Sequence, residues 1–138
     1  MDAASVANDL MEAFNNSDWE RFTALCSPDV IYEEKGSNRT TKGADGILDV
    51  AKGWKKAFPD IHGRIWGCAG AGSTAVLEIT WTGTHEGPLE AGGGLPATGK
   101  SVEFDDAQVY TVENGQVTSM RNYGDFLTML TQLGAIPR

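Results

Sequence analysis

The sequence predicts an α+β domain, a single unit over residues 1–138, in which a curved antiparallel sheet is folded with three N-terminal helices around a pocket. Three observations predict it. Up to Phe58 the apolar residues recur every three or four positions, and from Ile61 onward they alternate. Asn114-Gly115 lies between two alternating runs and is the strongest hairpin signal in the chain, so those runs are antiparallel neighbours. Helical patterns come first and strand patterns follow, which favours α+β over a doubly wound sheet.

The first helix is read from Asp2 to Asn15, with Val6, Leu10 and Phe14 on one side. Ser17, three residues before Glu20, forms a capping box for a short second helix with Trp19, Phe22, Leu25 and Cys26 as its stripe. Pro28 marks the exit from it. Val30-Ile31-Tyr32 reads as a short strand and Glu34 to Asn38 as a polar turn. A third helix begins after Gly43, turns Ile47, Val50, Ala51, Trp54 and Phe58 inward, and ends at Phe58-Pro59, because a residue before proline is pushed out of the helical region. Four strand candidates follow: Ile61 to Trp66, Ser73 to Thr84, Val102 to Val112 and Gln116 to Tyr123. Glycines in and around these strands permit curvature around a cavity. The segment holding Phe126, Met129, Leu130 and Leu133 has helical spacing, with Gly134 as its C-cap.

Composition removes several classes of function. A formal charge of −8 and no basic run longer than Lys55-Lys56 argue against nucleic acid and anionic membranes as partners. No stretch of about 18 apolar residues is present to span a bilayer. The N-terminus carries acidic residues and no basic region, so it does not read as a signal peptide. Cys26 and Cys68 match no zinc or redox spacing, and a reducing cytoplasmic setting fits. The loop GPLEAGGGLPATG, with five glycines and two prolines, is neither a dinucleotide fingerprint nor a P-loop. No cofactor and no metal are therefore expected.

The stretches AFPDIHGRI, ITWTGTHEGPL, LPATGKSVEF, VYTVENGQV and NYGD ahead of LTMLTQLG carry a family resemblance. In their order and spacing they resemble the SnoaL-like polyketide cyclases, of the superfamily named after nuclear transport factor 2. The resemblance runs from about the first helix to Gly134. It implies a cone-shaped, cystatin-like α+β barrel with a deep pocket, often a homodimer through the outer sheet face. It also implies aldol-type ring closure on a carbonyl-containing hydrophobic substrate, without metal or cofactor, by an aspartate near the end of the last strand. Asp125 matches that position. Where many members have His or Asp on the preceding strand, this chain has Gln108, which cannot titrate. Related pocket proteins open epoxides with an activated water, isomerise ketosteroids, or bind small ligands with no chemistry.

Arg121, Tyr123 and Asp125 stand at every second position, so a regular strand points all three the same way. A guanidinium beside a carboxylate keeps it ionised and oriented, as an enolising base requires. Asp125 is also placed to cap the last helix. Phe104, Asp106, Gln108 and Tyr110 share one face of the preceding strand, and Gln108 is placed to polarise a substrate oxygen. His85, at a strand end, is a second candidate for that role or for carrying a proton. Of Glu33 and Glu34, alternation sends one to the pocket and one to solvent. Trp54, Tyr32, Tyr110, Tyr123 and Phe14 are the candidate pocket walls, with Trp66 and Trp81 as further aromatic candidates.

Overall fold

A computed structural model describes residues 2–136 of the chain. Four α-helices and six strands make one α+β unit: α1 (Ala3–Asn15), α2 (Trp19–Ala24), β1 (Cys26–Glu34), β2 (Arg39–Lys42), α3 (Ala44–Ala57), β3 (His62–Ala71), β4 (Thr74–Thr84), β5 (Ser101–Glu113), β6 (Gln116–Asn122) and α4 (Phe126–Gln132). The sheet order is β2-β1-β6-β5-β4-β3, and it stays open at both edges.

Helix boundaries follow local chemistry. Asp2 caps α1 by accepting from Ser5 N at 2.8 Å, and Asp125 caps α4 by accepting from Thr128 N at 3.1 Å. The cap of α2 is Asp18, which accepts from Arg21 N, and not the expected Ser17. Ser17 instead sits at φ 52°, making the left-handed turn between α1 and α2. The turn at Asn114 and Gly115, both at positive φ, joins β5 to β6 as expected.

Three features depart from the sequence expectation. β1 begins at Cys26, so Pro28 lies inside a strand, at an irregularity in the pairing between Cys26 and Ile31. A sixth strand, β2, pairs with β1 where a turn and loop were expected; its residues Arg39–Lys42 are polar and sit at the sheet edge. β1 and β6 run parallel, and every other pair is antiparallel. Chain reversal through the whole domain makes that parallel contact: β1 enters after two helices and β6 returns to lie beside it.

Breaks in register bend the sheet at Ile65/Gly67 on β3 and at Thr111/Val112 on the β5–β6 pair. α1 packs on β3, β4 and β5, α3 on β1 and β2, and α4 on β5. The core they enclose includes Val6, Leu10, Phe22, Phe58, Leu77, Ile79 and Met129. Paired hydrogen bonds fix the end of α1 to β3: Asn15 Nδ2 donates to Gly63 O, and Gly63 N donates to Asn15 Oδ1.

Candidate active site

Between the helices and the concave sheet face lies a cavity of about 50 Å³. Met11 and Phe14 of α1, Phe22 of α2, Trp54 of α3 and Phe126 of α4 supply its apolar side. The sheet supplies the polar side: Tyr32 of β1, Trp81 of β4, Asp106 and Gln108 of β5, and Asn122 of β6.

Asp106 is the carboxylate that lines this cavity, and it is 4% exposed. Its two oxygens differ. Oδ2 accepts from Trp81 Nε1 at 2.9 Å and from Gln108 Nε2 at 2.8 Å. Oδ1 is buried and, among the described residues, meets no donor at full hydrogen-bond geometry, the Asn122 amide being the polar group that acts on the carboxyl from β6. Burial pushes the carboxyl up to about 6, and the charge of Glu34 pushes the same way, while Trp81, Gln108 and the nearby Asn122 amide oppose the rise. A carboxyl so placed switches between proton donor and acceptor near neutral pH, the range an acid–base catalyst needs.

Asn122 pairs with Gln108 across β5–β6 and lines the same wall. Its Oδ1 accepts from Gly124 N at 2.8 Å, which commits Nδ2 as the donating end of the amide, and hydrogen bonding from this amide lowers the pKa of Asp106. Gln108 is likewise oriented, because its Oε1 accepts from the buried hydroxyl of Tyr110.

A second polar cluster flanks the cavity. Glu34 is 1% exposed and accepts from Tyr32 Oη at 2.5 Å, Ser37 Oγ at 2.6 Å, Arg39 Nε at 2.7 Å, Arg39 Nη2 at 3.2 Å and Trp54 Nε1 at 3.1 Å. A buried charge survives when paired and fully hydrogen-bonded, and Glu34 satisfies both conditions. Burial, then the Glu34 charge, hold the Tyr32 phenol well above its ordinary value, so it stays a neutral donor.

The sequence-predicted residues divide sharply. Gln108, Trp54, Tyr32 and Phe14 line the cavity, and so does Trp81. Tyr110 is fully buried and hydrogen-bonded to Gln108, and it is not one of the residues lining the cavity. Trp66 and Tyr123 are 51% and 48% exposed and belong to the outer surface. Arg121 and Asp125 do share a side with Tyr123, but that side faces away from the cavity. Arg121 bonds Ser119 Oγ and lies opposite Glu33, while Asp125 is exposed. Both oxygens of Asp125 are taken by Thr128, from its hydroxyl at 2.6 Å and its N–H at 3.1 Å, and these bonds lower its pKa. His85 is fully buried at the end of β4, against the Phe58 ring, outside the cavity lining. Its Nδ1 accepts from Thr98 N at 3.1 Å, and burial lowers its pKa.

Asp106 and Asn122 are the functional candidates that sequence reasoning passed over. A signal for Asp106 was present, since it shares a strand face with Gln108. Among the described residues, no group of three or more His, Cys, Asp or Glu side chains is placed to hold a metal ion.

The chain matches the SnoaL-like polyketide cyclase family over residues 4–133. No curated protein matches it in sequence. Solved structures do match. A candidate SnoaL-like polyketide cyclase from Jannaschia sp. CCS1 is 21% identical, with a TM-score of 0.85 over 96% of this chain and 92% of that one. AclR, a candidate hydroxylase from Streptomyces galilaeus, is 22% identical, with a TM-score of 0.81 over 96% of each chain. IdmH, a candidate polyketide cyclase from Streptomyces antibioticus, is 25% identical, with a TM-score of 0.82 over 96% of this chain and 98% of that one. The shared architecture is a ketosteroid isomerase-like fold, the description given to a protein from Catenulispora acidiphila that is 16% identical with a TM-score of 0.79. By the match that covers nearly its whole length, the chain belongs to the SnoaL-like polyketide cyclase family.

Proposed function

We propose that the protein is a cofactor-free cyclase that closes a ring by aldol chemistry on a neutral, hydrophobic carbonyl compound, with Asp106 as its acid–base group. The observation that carries this reading is the buried Oδ1 of Asp106, without a full hydrogen bond among the described residues, on the polar wall of the cavity. A buried acceptor without a partner calls for a donor, and a substrate with an acidic C–H next to its carbonyl supplies one. Oδ1 takes that proton. The negative charge that develops on the carbonyl oxygen is met by Asn122 Nδ2, a donor already oriented by Gly124. The enolate carbon then bonds to a second carbonyl carbon of the same molecule, and the resulting alkoxide recovers the proton from Asp106. No other reactant is consumed.

The role falls to Asp106 and not to Asp125, because Asp125 is spent on capping α4 and lies outside the cavity. Gln108 serves by positioning the base. Among the described residues no Lys, Arg or His lines the cavity, and Arg39 nearby is committed to Glu34, which favours neutral substrates over free acids. The likeness to AclR keeps a hydroxylating reaction as the competing assignment. A cytoplasmic setting fits the two free thiols. A homodimer through the outer sheet face fits the exposure of Ile31, Trp66 and Val76 there, and sedimentation equilibrium at micromolar concentration tests it.

The test uses a tethered diketone, heptane-2,6-dione, in deuterium oxide. Nuclear magnetic resonance follows deuterium entry beside the carbonyl and formation of the cyclic β-hydroxyketone. Asp106→Asn is expected to slow both by about 10²–10⁴-fold. Equal rates for Asp106→Asn and the unaltered protein overturn the assignment.

A further inference from the structure

We propose that Tyr110 is a positioning residue: its hydroxyl locks the amide of Gln108 so that Asp106 Oδ2 always meets a donor, and the proton that Asp106 carries stays on Oδ1. The proposal rests on Asp106 as the acid–base group.

Asp106, Gln108 and Tyr110 occupy alternate positions of β5 and therefore share one face. Their hydrogen bonds form a directed chain. Tyr110 Oη donates to Gln108 Oε1, and Gln108 Nε2 donates to Asp106 Oδ2 at 2.8 Å. Trp81 Nε1 donates to the same Oδ2 at 2.9 Å.

The two donors on Oδ2 are not equivalent. An indole N–H only donates, so Trp81 never favours a proton on Oδ2. An amide has two faces. Turned over, Gln108 would present Oε1 and welcome a proton on Oδ2. That proton would sit between Trp81 and Gln108, bonded to the amide oxygen instead of to a substrate. Each turnover leaves Asp106 protonated once, so each turnover offers Gln108 the chance to turn.

Tyr110 removes that chance. Its hydroxyl is fully buried, and among the described residues Gln108 Oε1 is its hydrogen-bond acceptor. Turning the amide would strand that hydroxyl as a buried donor with no acceptor. Burial also holds the phenol well above its ordinary pKa, so the hydroxyl keeps its proton and remains a donor.

Other groups around Asp106 do not perform this selection. From β1 come Tyr32 and Glu34, and Glu34 is paired with Arg39 of β2. The helices bring no charged side chain to the cavity lining. Among the described residues, none of these groups is hydrogen-bonded to the Gln108 side chain.

The experiment needs no substrate. Aspartate labelled with ¹³C at the carboxyl carbon reports the titration of Asp106 in the unaltered protein, Tyr110→Phe, Gln108→Met and the double variant. Tyr110→Phe removes one oxygen, and its melting temperature verifies the fold. In that variant the protonated state of Asp106 gains a partner that it lacks in the unaltered protein. Its titration midpoint is expected to rise by about half a unit or more. With Gln108→Met already present, the Tyr110 change is expected to move the midpoint no further. In the diketone assay the acidic limb of the rate profile should move upward with the midpoint, and the plateau rate should fall several-fold. An unmoved midpoint in Tyr110→Phe overturns the proposal, as does a shift of equal size in the Gln108→Met background. A moved midpoint with no change in the rate profile removes Asp106 from catalysis and leaves the lock itself standing.

Discussion

Trp81 reaches Asp106 because Gly63, its partner on β3, leaves the indole room. A β-carbon at Gly63 would fall 2.6 Å from the Trp81 ring, while the indole N–H stands 2.9 Å from Asp106 Oδ2. The position of a donor on the base is thus set by a missing side chain two strands away. Trp81→Phe is predicted to raise the Asp106 midpoint above about 6 by roughly one unit, because a hydrogen bond to the charged form is lost. Gly63→Ala should move it in the same direction by displacing the ring. Carboxyl-carbon titration measures both, and a midpoint that falls would count against the assigned donor.

The elevated carboxyl also shapes stability against pH. In the unfolded chain Asp106 titrates near its ordinary 3.8, and in the folded protein at about 6. Between those values the folded state holds the extra proton, so this contribution is fully present below about pH 4 and is lost as pH rises through about 6. Asp106→Asn carries no such penalty. Its stability relative to the unaltered protein is predicted to improve across that window, levelling off at a relative gain of roughly 2–3 kcal/mol. Urea unfolding at pH 4 and pH 8 reads the difference directly. A stability gap that does not change between the two would show that Asp106 is not elevated.

Asp125 gives the complementary case. Its oxygens accept from the Thr128 N–H and hydroxyl, and asparagine caps a helix about as well as aspartate. Asp125→Asn is predicted to leave both the melting temperature and the diketone rates unchanged. Asp125→Ala should cost about 1 kcal/mol of stability through the lost cap, again without slowing the reaction. A large loss of rate in Asp125→Asn would return the catalytic role to this residue.

Sequence alternation served β5 and misled at β6, for a physical reason. On β5 the alternation of buried and more exposed positions is unbroken, so Phe104, Asp106, Gln108 and Tyr110 fall on one face in both sequence and structure. On β6 the pairing jumps from Ser119 opposite Thr111 to Val117 opposite Val112, leaving Thr118 as an extra residue. Val117, Met120 and Asn122 are all buried, although a regular strand would send Val117 to the other side. The grouping of Arg121, Tyr123 and Asp125 was legible, but the side they face is decided by that bulge and by Gln108 across the strand. β2 is polar and short, and only its pairing with β1 makes it a strand. The burial of Glu34 depends on Arg39, Ser37 and Trp54, which the turn into β2 and the docking of α3 bring together.

Trp54 sets what can enter. It is half-buried, while the other cavity-lining residues are buried, so it stands between the cavity and solvent. It stacks on Phe58 with ring centres 6.2 Å apart, lies 5.4 Å from the Phe126 ring, and is tethered to Glu34 at 3.1 Å. The same residue lines a neighbouring depression with Leu89, Glu90 and Ala91, so its indole separates the two spaces. The cavity measures about 50 Å³, whereas pockets for ligands of drug size run to roughly 300–1,000 Å³. A substrate large enough to fold into a ring therefore has to move this indole. Trp54→Ala is predicted to join the two spaces and to bind the neutral fluorophore N-phenyl-1-naphthylamine at least tenfold more tightly than the unaltered protein does. Stability should fall by roughly 2–4 kcal/mol, from lost packing and a donor removed from Glu34. Trp54→Phe should retain most of the packing, lose the tether, and fall between the two in affinity. Ordered affinities of this kind, with Asp106 still titrating near neutral pH in all three proteins, would mark Trp54 as the gate of the cavity. Equal affinities would mean that the ligand enters elsewhere.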